Sequence, residues 1–162
     1  MMNQTGENPS ILSQRILRYG PLLLWTGVIL FASTDGFSAG STSKIIRPLL
    51  FWLFPEITET QLGTVHLWTR KTAHFVEYAI LAFLAHRAFI RSTRELLKSH
   101  WFAWSLIFVV MIAVIDELHQ SFVPERTGSI YDSGIDIAGG LTVLLVCWIY
   151  QRRLSRLASA AT

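Results

Sequence analysis

Residues Trp101 to Ile115 carry no charge and are almost all apolar, and the run ends in Asp116-Glu117-Leu118-His119-Gln120. As a helix rising 1.5 Å per residue, Trp101 to Asp116 spans about 22 Å. The hydrocarbon core of a bilayer is about 30 Å thick. With Trp101 at one interface, Asp116 therefore sits inside the membrane, below the opposite surface. A carboxylate at that depth is expensive unless it faces a partner or a wet cavity. The stretch thus implies a span that finishes in a chemical site, and the remaining question is which other residues reach it.

Composition supports a membrane protein. The chain is 51% hydrophobic and only 15% charged, with six Trp and ten Phe, whereas soluble domains average about 25% charged. A net charge of +3 would suggest nucleic acid only if the basic residues shared a soluble face, but they lie between apolar runs. The lone Cys147 excludes an internal disulfide and any cysteine-rich metal motif.

Residues 1–14 are polar and read as a flexible tail. Four spans follow, over Ile16 to Ser33, Lys71 to Ile90, Trp101 to Leu118 and Gly134 to Tyr150, so residues 15–151 form one membrane domain. Residues 152–162 read as a basic carboxyl-terminal tail. Ile45 to Phe54 is too short to cross and carries Arg47 and Pro48, which makes it an interfacial or re-entrant helix. Thr58 with Gln61 forms a capping box, so a short helix starts there and can run into the second span. The fold class expected is all-α, a four-span transmembrane bundle.

Orientation follows from Lys and Arg. Nine lie at the two termini and in the 87–100 linker, and five lie in the other connections. That bias places both termini in the cytoplasm and the loops 34–70 and 119–133 outside. The start of span two, the end of span three and the start of span four then meet at the outer face. On span two, Lys71, His74, Glu77 and Tyr78 fall within about 120° of one helical face. On span three, Asp116, His119 and Gln120 share a face of about 100°, with Glu117 beside it. On span four, Asp132, Asp136, Gly139 and Val143 form one stripe. The stripes converge on a polar pocket sunk into the outer half of the bilayer. Gly139 and Gly140 would let span four approach its neighbours closely.

Three chemistries fit this inventory. As a catalytic site, Asp116 or Glu117 serves as base, His119 or His74 as acid or base, with Glu77 beside them. Lys71 and Arg126 would hold an anionic group, with Tyr78, Gln120, Asp132 and Asp136 completing the binding surface. As a metal site, His74, Glu77, Glu117 and His119 are the candidate ligands for a divalent ion, with Asp132 and Asp136 a further carboxylate pair four residues apart, although no standard zinc signature is present. The third reading is non-catalytic: a structural or assembly protein whose polar residues form a network that locks the helices together.

The motifs Arg70-Lys71-Thr72-Ala73-His74-Phe75-Val76-Glu77-Tyr78, Asp116-Glu117-Leu118-His119-Gln120 continuing through Pro124, Arg126 and Gly128, and Asp132 with Asp136 and Gly139 together resemble the VanZ-like family of bacterial membrane proteins. Glu125 and the pair Gly139-Gly140 depart from the family's usual residues. The resemblance implies a multi-pass protein of the bacterial cytoplasmic membrane. The family's namesake is associated with resistance to teicoplanin, a glycopeptide that acts outside that membrane on lipid-linked cell-wall precursor. The expected partners are therefore the bilayer and an envelope lipid or lipid-linked component, with no nucleic acid.

Overall fold

A computed structural model describes residues 10–34, 39–122 and 130–160. Among these residues there are six helices and no strand: α1 (Ile11–Ala32), α2 (Ala39–Leu53), α3 (Glu59–Ile90), α4 (Glu95–Ser99), α5 (Trp101–Ser121) and α6 (Ile130–Ala160). Helices α1, α3, α5 and α6 are each long and apolar enough to cross a membrane. Their outer surfaces are apolar: Leu24 is 72% exposed, Phe83 50% and Val146 61%. Such faces suit lipid rather than water.

Two ends differ from the sequence expectation. Helix α1 begins at Ile11, inside the stretch read as tail, because the Ser10 hydroxyl accepts a hydrogen bond from the Ser13 amide and caps it. Helix α6 continues to Ala160, so the basic end is helical rather than a loose tail; no Pro or Gly interrupts Gln151 to Ala160. The capping box is present. The Thr58 amide donates to Gln61 Oε1 at 2.9 Å, and the Gln61 amide donates to Thr58 Oγ1 at 3.3 Å. Helix α3 runs unbroken from that cap into the second span. The short apolar segment between spans one and two is the helix α2, which an Arg47–Glu59 ion pair ties to the start of α3. Its Trp52 is 78% exposed.

The core follows from helical stripes. On α5, Trp101, Ser105, Val109, Ile112, Ala113, Asp116 and Gln120 are buried, and their helical spacing puts them on one face. On α3 the buried face includes Ala82, Ala85 and Ala88, small residues that admit close neighbours. Helix α6 packs chiefly along α3. The two run in the same direction, since Lys71 meets Asp132, His74 meets Asp136 and His86 meets Gln151.

Pro21 lies inside α1. A proline has no amide hydrogen, so it cannot donate to the carbonyl four residues back. That carbonyl belongs to Leu17, and Arg87 of α3 donates to it at 3.0 Å. Replacing Arg87 with Met is expected to destabilise the wild-type bundle by about 1 kcal/mol, a typical net hydrogen-bond contribution. In a Pro21→Ala background the restored amide serves Leu17 itself, and the loss should vanish. Detergent unfolding of the double-mutant cycle checks this. Equal losses in both backgrounds would contradict the assignment.

Candidate functional site

One end of the bundle gathers the polar side chains. It comprises the end of α1, the first half of the membrane part of α3, the end of α5 and the start of α6. Lys71 Nζ donates to Asp132 Oδ1 at 2.9 Å, with both side chains partly buried. One turn deeper, His74 Nδ1 lies 3.2 Å from Asp136 Oδ1, and the Asp136 side chain is fully buried. These two pairs bridge α3 to α6. They follow from spacing: on α3 the residues are three apart and on α6 four apart, each about one helical turn.

A second line of bonds ties in α5 and α1. Arg70 Nη2 donates to Gln120 Oε1 at 3.3 Å, and Gln120 Nε2 donates to Asp116 Oδ2 at 2.9 Å. The Ser33 hydroxyl, at the end of α1, donates to Asp116 Oδ1. Trp25 Nε1 of α1 donates to the Glu77 carbonyl at 2.9 Å. Asp116 and Gln120 are buried at 1% and 0% exposure, and the buried Tyr78 lies beside Asp116. Asp116 and Gln120 are thus satisfied across helices rather than in lipid.

Of the residues expected to meet, the structure brings together Lys71, His74, Tyr78, Asp116, Gln120, Asp132 and Asp136. Glu77 and Glu117 are half-buried, and His119 is exposed. Residues 116, 119 and 120 therefore do not act as one inward face. The buried face of α5 is centred on Ser105, Val109, Ile112 and Asp116, which leaves His119 at its edge. Arg126 and the loop 123–129 lie outside the described residues. Ser33 and Arg70 are site residues that sequence reasoning missed. Ser33 gave no signal, being a small residue at a helix end. Arg70 gave one: it adjoins Lys71 at the head of the same span.

Two further features complete the geometry. A cleft between α3 and α6 is lined by Leu67, Arg70, Lys71, His74, Asp132 and Ile135, with a volume of about 40 Å³. Beneath it, His74, Asp116 and Asp136 each offer a ligand atom, and these atoms all lie within 4.8 Å of one another. Of the residues that the sequence offers for a metal, this set keeps His74 and Asp136, and it adds Asp116. The two aspartates replace Glu77, Glu117 and His119 as the nearest donors.

No curated protein and no solved structure matches the chain. Residues 19–151 match the model of the VanZ/LLP1 family. That match reaches all four spans and takes in every described residue of the polar end, and with the four apolar helices it makes the chain a multi-pass membrane protein belonging to the VanZ/LLP1 family.

Proposed function

We propose that this protein resides in the bacterial cytoplasmic membrane with both termini inside, and binds the anionic head group of an envelope lipid or lipid-linked cell-wall component at its outer face. The observation that carries this reading is the cleft whose lining pairs two cations, Arg70 and Lys71, with the apolar Leu67 and Ile135. Its volume of about 40 Å³ has room for only a few waters, at about 10–15 Å³ of such space for each. The head group would therefore rest at the mouth. Arg70 offers a planar donor fork suited to phosphate, and Lys71 a point charge. Arg126, which falls between α5 and α6 in the sequence, is the third cation assigned to this reading. The family's association with teicoplanin resistance fits this reading, because that drug acts on lipid-linked precursor.

The test is lipid binding to the detergent-purified protein by native mass spectrometry. Polyprenyl phosphate, phosphatidylglycerol and phosphatidylcholine are offered in turn. Both anionic lipids should be preferred over phosphatidylcholine, and the better of the two names the ligand's source. Arg70→Ala and Lys71→Ala should each weaken anionic binding by about tenfold, or about 1.4 kcal/mol. Asp132→Asn should strengthen it, because Lys71 then loses its competing carboxylate. No preference for anionic lipid, or variants that lower only stability, would instead favour the helix-locking network.

A further inference from the structure

We propose that His74, Asp116 and Asp136 form a binding site for one divalent cation of the zinc or manganese kind. The three residues come from three different helices, α3, α5 and α6, and their ligand atoms lie within 4.8 Å of one another. His74 Nδ1 and Asp136 Oδ1 are 3.2 Å apart. Two ligands held about 2.0–2.2 Å from a tetrahedral ion are separated by about 3.4 Å.

Charge and burial ask for a cation here. Asp116 and Asp136 are 1% and 0% exposed. Neither makes a direct contact with Lys or Arg among the described residues, since Lys71 is held by Asp132 and Arg70 by Gln120. Two carboxylates this close in a low-dielectric interior repel strongly, and one imidazole cannot neutralise both. A divalent ion does.

A second observation is independent of the clustering. Asp136 Oδ2 is buried and has no hydrogen-bond partner among the described residues. Buried carboxylate oxygens are ordinarily satisfied, and an exception points to something bound. Asp116 is also prepared in the way metal ligands are. Ser33 and Gln120 donate to its two oxygens, and Arg70 in turn holds Gln120. Outer bonds of this type fix a ligand's orientation and raise metal affinity. Each Asp116 oxygen keeps a lone pair for an ion.

One imidazole with two carboxylates is a donor set that zinc and manganese both accept. Three protein ligands would leave a coordination position for water, beneath a cleft that His74 also lines.

The experiment is calorimetric titration of chelator-stripped, full-length protein in detergent with Zn²⁺ and, separately, Mn²⁺. One ion per chain is expected. Asp136→Asn and Asp116→Asn should each weaken binding at least 100-fold, while His100→Ala, an exposed histidine elsewhere, should leave it unchanged. X-ray absorption of the zinc-loaded wild type needs no variant and should show a single imidazole among oxygen ligands. The proposal is overturned by wild type that binds neither ion, by folded aspartate variants that bind as tightly as wild type, or by a first shell with several imidazoles or a thiolate.

Discussion

Gly139→Ala is expected to be among the most damaging single-methyl changes in this chain. A Cβ at position 139 would lie 2.2 Å from the Phe75 carbonyl oxygen, 3.0 Å from its carbon and 3.1 Å from the Phe75 Cα. All three are backbone atoms of α3, so no side chain can swing aside. The two helices would have to part, and this is the pair that carries Lys71–Asp132 and His74–Asp136. Between membrane helices close packing is the main attraction, because lipid supplies no hydrophobic force. Overpacking a tight contact costs about 1–3 kcal/mol, and an immovable backbone puts Gly139 at or above the upper end. Gly134→Ala on the same helix meets nothing within 4 Å, so it should change stability by less than about 0.5 kcal/mol. Detergent unfolding of both variants checks the contrast. A Gly139→Ala protein as stable as Gly134→Ala would mean that α3 and α6 do not approach this closely.

Asp116→Ala is expected to cost about 2–3 kcal/mol, chiefly by leaving the buried Gln120 amide without an acceptor, since the Ser33 hydroxyl can turn to the Ile29 carbonyl. The Ser33 hydroxyl and the Gln120 amide both donate to this carboxylate. Removing it leaves Gln120, itself fully buried, with an unsatisfied donor, and loosens the hold on Arg70. Interhelical hydrogen bonds in membranes average only about 0.6 kcal/mol each, so the loss comes from the abandoned groups more than from the bonds. Two controls isolate this. Asp116→Asn keeps one acceptor and a similar shape, and should cost less than half as much. Asp116→Ala combined with Gln120→Leu removes donor and acceptor together, and should be milder than the sum of the single changes by at least about 0.5 kcal/mol. Strict additivity in unfolding measurements would show that the two side chains are not coupled.

The spans were legible because apolar runs of membrane length have few alternatives, and α3 and α5 end at Ile90 and begin at Trp101 as the charge pattern requires. The meeting of three helix ends was legible too, because Lys71, His74, Asp116, Asp132 and Asp136 recur at helical spacing. What spacing could not decide is direction at the edge of a stripe. At about 100° per residue, His119 and Gln120 lie about 60° and 40° to either side of Asp116. The residues beneath, Val109 and Ala113, draw the buried face toward Gln120 and leave His119 outside. Gly139 read as a close-approach residue, but only the Phe75 carbonyl shows how close. Ser33 was beyond reach, since a serine ending an apolar helix has many ordinary uses. The bond from Arg87 to Leu17 was hidden for a different reason, because it depends on a carbonyl that only the register of α1 against α3 identifies.

The way the polar end is shared among helices bears on how the chain is built into a membrane. Spans leave the ribosome in sequence order. Asp116 enters on α5 with Gln120 one turn away on its own helix, and Ser33 has already arrived on α1. Lys71 and His74 enter earlier, on α3, yet their carboxylates are on α6, the last span to be made. Until α6 is in place, a cation and an imidazole within a membrane helix lack these partners, and the glycine-fitted groove beside Phe75 stands empty. A chain cut short before residue 130 would thus carry the marks by which membrane quality control recognises orphaned spans. The final helix closes the ion pairs and the packing together, so maturation of this protein should be nearly all-or-none, with completeness read at its last span.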